Sequence, residues 1–324
     1  MDIPLSVLDR TRTRAGTTDA SALTQTIDRA RNAEAAGYHR IWVAEHHGVP
    51  GIASGVPALM VQAIAHATEH IRIGSGGVML PNHRPIVVGQ QFAMLTALHG
   101  SRIDLGVGRS LGFTKAVRQA LGAETAHPED FKNDIRELRD YLEGHAAITI
   151  RPAGIEPPPL FVLGTGTGLA YAAELGLPAV VGGPALWAEP DTFQAYRDNF
   201  RPSTQQPEPY LIISADLLIA DTAEEAHTLA LPEAWAMAAS RTHGEFPPLI
   251  APEDIPANPT RKQTEFIEQH LARSIHGTED EVITRLAALV DHTGADEVMT
   301  TASTFDTDAL YASDTRLATA WHRA

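Results

Sequence analysis

Cysteine is absent from all 324 residues. That absence removes disulfide frameworks, thiolate metal sites and thiol nucleophiles together, and it fits a reducing compartment. Long apolar runs are missing as well: no stretch approaches the ~20 residues a membrane helix requires. The opening Met1-Asp2-Ile3-Pro4 has neither a charged n-region nor an apolar run. No signal peptide is expected from it, and a cytoplasmic location away from any membrane is the default expectation. Positive charge is in deficit, with 25 Lys and Arg against 40 Asp and Glu and a formal net charge of −15. Nucleic-acid binding needs a basic face that displaces counterions, so neither a nucleic acid nor an anionic membrane is an expected partner. No linker divides the chain. What remains is 44% hydrophobic and 20% charged, the balance of a globular protein with a large core, read as one domain over residues 1–324.

Apolar runs of strand length alternate with stretches of helical period. Strands are expected at residues 4–9, 40–44, 71–76, 103–107, 160–163, 178–182, 210–220 and 297–301. Helices are expected at 19–36, 57–68, 86–99, up to Leu175, 189–200, 222–240 and 306–322, with helical patches at 115–121, 129–143, 261–273 and 278–293. Gly37 is placed to end the first helix and Pro57 to open the second. Residues 10–18 read as a polar loop. Residues 241–259, with Pro247, Pro248, Pro252, Pro256 and Pro259, break the rhythm and read as an excursion or lid. Strands that alternate with helices imply parallel pairing and right-handed crossovers. Eight such units predict an α/β fold, a closed (β/α)8 TIM barrel with an insertion after strand seven; an open doubly wound sheet is the alternative.

In such a barrel the loops after the strands form the active face. His46 and His47 follow strand two, Gly76-Gly77 and Asn82-His83 follow strand three, and Gly108-Arg109-Ser110 follows strand four. Gly164-Thr165-Gly166-Thr167-Gly168 follows strand five and precedes a helix, whose N-terminus can bind a phosphate. Each signal alone is weak; their convergence on one mouth is the argument. Arg109 can fork onto an anion, and glycine pairs let backbone approach a ligand closely. A histidine at the mouth, His46 above all, can move protons near neutral pH. The Gly-x-Gly-x-x-Gly dinucleotide fingerprint and its acidic partner are missing. His66 and His70 lie one helical turn apart, but in the order His-Ala-Thr-Glu-His and away from the mouth, so no metal site is expected. Gly108-Arg109-Ser110-Leu111-Gly112 matches the nucleophile-elbow pattern of serine hydrolases. That alternative would make Ser110 a nucleophile served by Asp291 with His292 or a residue of the tail.

Several segments resemble the bacterial luciferase-like flavin monooxygenases. They are Trp42-Val43-Ala44-Glu45-His46-His47, the stretch from Arg72 to Pro81, the stretch from Gly100 to Arg109, and Ala172 to Pro178, with Ile275-His276-Gly277-Thr278 as a later signpost. The resemblance is closest to the actinobacterial subgroup that tailors aromatic polyketides. It implies a barrel that binds FMN, as FMNH2 supplied by a separate flavin reductase, at the strand C-termini. It further implies a cis peptide at Gly76-Gly77 behind the flavin ring, Arg109 on the FMN phosphate with Gly164, Thr165 and Gly168 completing the cradle, and His46 as the catalytic histidine. Gly108 stands where the light-emitting members carry a reactive cysteine, which argues against light emission. The implied reaction is monooxygenation of a small organic substrate by O2 through a C4a-hydroperoxyflavin, with residues 241–259 closing over the mouth and a homodimer as the assembly. Hydride transfer with the deazaflavin F420 on the same barrel is the alternative within the fold.

Overall fold

The computed structural model describes residues 2–122, 128–164, 167–203 and 205–324. Eight parallel strands close into a barrel. They are β1 (Leu5–Asp9), β2 (Arg40–Val43), β3 (Arg72–Met79), β4 (Ile103–Gly108), β5 (Leu160–Leu163), β6 (Ala179–Gly182), β7 (Leu211–Ala215) and, last in the chain, β10 (Glu297–Thr300). Two further strands, β8 (Leu217–Ile219) and β9 (Ile275–Gly277), pair parallel outside the barrel. The barrel order is β1-β10-β7-β6-β5-β4-β3-β2; β1 closes the ring by pairing Leu5 with Val298 on one side and Val7 with Ile41 on the other.

Helices surround the ring: α1 (Asp19–Ala35), α2 (Pro57–Ala67), α3 (Pro85–His99), α4 (Lys115–Ala120), α5 (Pro128–Glu143), α6 (Thr167–Leu175), α7 (Pro190–Asp198), α8 (Ala223–His243), α9 (Arg261–Arg273), α10 (Glu279–Thr293) and α11 (Thr307–Arg323). Local chemistry sets their ends. Thr18 caps α1 by accepting from the Ser21 N–H, and Gly37 at φ 83° turns the chain after it. Thr260 and Gln263 cap α9 reciprocally. No helix among the described residues is long and apolar enough to cross a membrane.

The expected closed barrel is present, with three local differences. The apolar run at 210–220 is two strands. Asp216 interrupts it, accepting a hydrogen bond from Thr301 Oγ1 at 2.7 Å and pairing with Arg10 at 3.8 Å. A carboxylate held there ends the barrel strand, and the chain turns out to pair with Ile275–Gly277 instead. Strand β3 runs on to Met79, with a register shift against β4 between Ser75 and Val78. The Gly76–Gly77 bond within that shift is cis. The third difference is at residues 11–14, expected in a polar loop but buried. Arg12 donates to Glu233 and to the carbonyl of Gly51, and Arg14 donates to Phe305 O, Thr304 O and Gln25 Oε1. Their acceptors come from helices α1 and α8 and from loops, most of them distant in sequence, so a stretch that reads as solvated is buried.

The interior near the strand N-termini is polar. Arg40 lies 2.7 Å from Asp104 Oδ2 and 2.8 Å from Glu297 Oε1. Both carboxylates are fully buried. Asp104 also accepts from Arg72 and Trp42, and Glu297 from Ser6 and Tyr210. Above this floor, Leu8, Trp42, Phe161, Ile212 and Met299 form an apolar layer, which separates the ion cluster from the mouth.

Candidate functional site

At the C-terminal ends of the strands lies an open cavity of about 490 Å3, within the range of small-molecule sites. Each expected loop contributes to it: Glu45 and His46 after β2, Gly76, Gly77 and Met79 from β3, Gly108, Arg109 and Ser110 after β4, Leu163 and Gly164 from β5, and Gly182 and Ser214 opposite.

Glycine is dictated by packing at the wall. A Cβ on Gly76 would stand 2.4 Å from Leu8 Cδ1, and one on Gly77 2.9 Å from the carbonyl oxygen of Gly106. With no side chains there, the β3 wall is flat backbone. At the opposite end, a Cβ on Gly164 would stand 2.5 Å from Gly168 Cα, so the backbone just after β5 lies directly against the first turn of α6. Gly168 is buried behind the wall rather than lining the cavity. Thr165 lies outside the described residues. Arg109 is exposed beside the start of α6, where Nη1 donates to Thr167 Oγ1 at 3.0 Å. It pairs with no carboxylate among the described residues, which leaves its remaining N–H groups free for an anion.

His46 is half-buried, and its Nδ1 is a buried atom with no hydrogen-bond partner. Burial, with Arg10 and Arg12 nearby, pushes its pKa down to about 4. The imidazole is therefore neutral at physiological pH, carrying one donor and one acceptor. Its ring stacks on Phe113 at 5.6 Å, and Phe113 in turn meets Phe246 at 5.8 Å. Phe246 belongs to the proline-rich excursion. That segment is pinned to the β1 and β2 loops by the Gly51 N–H to Phe246 O bond, the Leu249 N–H to Thr13 O bond and the packing of Phe246 and Leu249 on Val49 and Ile52.

Glu45 and His47 do something different from their neighbour. The Glu45 carboxylate is buried and accepts from His47 Nε2 at 2.6 Å, His83 Nε2 at 2.7 Å and the Met79 N–H at 3.0 Å. Burial alone would raise its pKa, but the hydrogen bonds from His83 and His47 outweigh this and hold it below the usual carboxylate value. One carboxylate oxygen of Glu45 and one ring nitrogen each of His47 and His83 lie within 4.8 Å of one another, and both imidazoles hydrogen-bond the carboxylate. The cluster ties the end of β2 to the end of β3 directly behind His46. Phe113, Arg10, Arg12 and the Glu45–His83 contact were not singled out from the sequence. Only the acid-plus-histidine composition of the two loops hinted at the last.

Ser110 lines the cavity, and among the described residues it has no hydrogen bond to a histidine. His292 sits on α10, donates to the carbonyl of Ala188 at 2.9 Å and packs against Phe193. The serine-hydrolase alternative fails on this separation and on the closed barrel.

A closed (β/α)8 barrel with a flat glycine wall, a free arginine at a helix N-terminus and a neutral histidine facing the same cavity defines a small-molecule enzyme of the cofactor-dependent kind. The sequence profile of the luciferase-like monooxygenases matches residues 3–297. A luciferase-like monooxygenase of Escherichia coli strain K12 is 34% identical over 318 residues, covering 95% of this chain and 93% of the relative. The N-acetyl-S-alkylcysteine monooxygenase of Bacillus subtilis is 39% identical over 184 residues, covering 54% of this chain and 55% of that one. The crystal structure of apo-MsnO8 superimposes with a TM-score of 0.88 at 29% identity, covering 99% of both chains. The chain belongs to the luciferase-like monooxygenase family and is a flavin-dependent monooxygenase.

Proposed function

We propose that the chain is the oxygenating component of a two-component system, taking FMNH2 from a separate reductase in the cytoplasm and using O2 to oxygenate a small organic substrate. The observation that carries this reading is the meeting of Gly76–Gly77, His46, Arg109 and Gly164 around one cavity, together with an arginine left without a carboxylate among the described residues. The donor set fits FMN. Arg109, the Thr167 hydroxyl and the N–H groups at the start of α6 suit a phosphate monoester. The flat β3 wall suits a planar ring, and His46 lines the same cavity. Bound reduced flavin supplies the activation of O2. The protein's part is to hold the ring against backbone, to keep water from the apolar side lined by Leu8, Leu163 and Val180, and to place the neutral imidazole of His46 at the cavity for proton exchange without adding a cation.

Anaerobic titration with FMNH2 tests this. Micromolar or tighter binding is expected, with F420 binding markedly weaker. Arg109→Ala is expected to weaken FMNH2 binding roughly 10- to 100-fold, the loss of charge-assisted hydrogen bonds. Tighter binding of F420 than of FMNH2 would move the reading to deazaflavin hydride transfer. Unchanged affinity in the variant would remove Arg109 from the phosphate.

The homodimer belongs to the same reading. Val56, Leu59, Val87, Met94 and Leu98 are exposed on and beside the adjacent helices α2 and α3, Leu59 by 69% and Leu98 by 65%. An uncovered apolar face of this kind marks an interaction surface, and a second copy presenting the same face is the self-complementary solution. Light scattering after size exclusion is expected to give twice the 34.8 kDa chain mass, and the double variant Leu59→Glu, Met94→Glu is expected to run as a monomer with unchanged circular dichroism. A monomeric wild type would refute the dimer.

A further inference from the structure

Beside the main cavity lies a second one of about 240 Å3, between the ends of β6 and β7 and the helices α8 and α9. The two are neighbours: Ser214 lines both, and the consecutive residues Gly182 and Gly183 line one each. The second cavity differs in character from the rest of an acidic chain. Its floor is balanced. Asp216 is held by Arg10 at 3.8 Å, by His270 at 3.7 Å and by Thr301, while Arg10 also lies 2.9 Å from Glu233. Its rim is not balanced. Arg241 from α8 and Arg273 from α9 both line the opening, and among the described residues neither forms an ion pair. Arg241 instead stacks its guanidinium on Phe266, 5.0 Å from the ring centroid. Apolar wall comes from Phe266, Met237 and Trp187, the last 47% exposed.

We propose that this cavity is a recognition subsite for one end of the substrate, and that it takes a carboxylate carried on an apolar or aromatic body. Two arginines from different helices converge on an opening with no carboxylate of their own, so an incoming anion gains charge-assisted hydrogen bonds without displacing an existing partner. A stacked guanidinium is pre-oriented and keeps its N–H edge available. The volume suits a single ring or a chain of a few carbons, since a cavity of roughly 150 Å3 holds benzene. The shared Ser214 wall then passes the other end of the molecule into the flavin cavity. Arg241 and Arg273 thereby set specificity, and neither takes part in the chemistry. The inference rests on the flavin reading for what happens at that far end, but binding at the subsite is independent of flavin.

The test is calorimetric titration of the full chain with 4-phenylbutyrate, 4-phenylbutanol and 4-phenylbutylamine, in the wild type, Arg241→Gln, Arg273→Gln and the double variant. The wild type is expected to bind the carboxylate at least about 10-fold more tightly than the alcohol or the amine. Each single variant is expected to lose part of that preference and the double variant all of it, with alcohol affinity and melting temperature unchanged. Equal affinity for the three ligands in the wild type, or a preference that survives in the double variant, overturns the proposal. FMNH2 titration of the same preparations keeps the two readings apart. Carboxylate preference without flavin binding sinks the flavin reading alone, and flavin binding without carboxylate preference sinks the subsite alone.

Discussion

Arg40→Met is expected to destabilise the protein by about 3–5 kcal/mol, the usual consequence of removing one partner from a buried ion cluster. Arg40 is the only cation that touches both Asp104 and Glu297 among the described residues, and both carboxylates are fully buried. Methionine fills similar volume and leaves two charges beneath the apolar layer. Asp104 keeps Arg72 and Trp42, but Glu297 keeps only neutral donors, Ser6 and Tyr210. Adding Glu297→Gln to the variant is therefore expected to restore part of the loss. Urea unfolding measures both effects, provided the slope with denaturant stays constant. A loss below about 1 kcal/mol for Arg40→Met would show the cluster to be solvated and the floor of the barrel to be open.

Acid is expected to unfold the protein in two overlapping stages. In the folded chain His46 is lowered from 6.5 to about 4 and Glu233 from 4.5 to about 2, the first by burial with Arg10 and Arg12, the second by the same two arginines outweighing burial. In each case the unfolded state binds the proton at higher pH than the folded state does. Stability therefore falls as pH falls. The His46 contribution is complete above about pH 6.5 and lost on the way to 4; that of Glu233 is complete above about 4.5 and lost on the way to 2. At about 1.4 kcal/mol per pH unit each is worth up to about 3 kcal/mol. Melting temperature against pH should show a decline from neutrality. Glu233→Gln should flatten the limb below pH 4.5 while lowering stability at pH 7, because Arg10 and Arg12 lose their shared carboxylate. A limb unchanged in that variant would assign the acid transition to other groups. By the same token the imidazole signal of His46 should show no titration between pH 6 and 8.

The barrel was legible because its two periods are distinct: runs such as Ile41-Trp42-Val43 and Val180-Val181 are too short and too apolar for a surface helix, and amphipathic stretches separate them. The break at Asp216 was not legible. Nine of the ten residues from 211 to 220 are buried, so the run reads as one strand until Arg10, His270 and Thr301 are seen gathering on its single acid. Arg12 and Arg14 misled in the other direction, since arginines alternating with threonines read as solvated, and several of the partners that receive them, Glu233 and Phe305 among them, lie more than two hundred residues away. At the mouth, glycines and Arg109 announced themselves through turn chemistry and family resemblance. The Glu45–His83 contact spans 38 residues, and the stacking of Phe113 between His46 and Phe246 depends on the docking of the excursion. Neither leaves a local pattern.

The glycine-on-glycine contact between residues 164 and 168 also limits how this pocket can diversify. With backbone already against backbone, no side chain can be gained at position 164 without prising α6 away from β5. With the anion held as proposed above, adaptation to a different anionic tail works through the outward side chains of Arg109 and Thr167, while changes in what is oxidised fall to the far side of the mouth. The two halves of the recognition problem can thus drift separately in descendants of this chain.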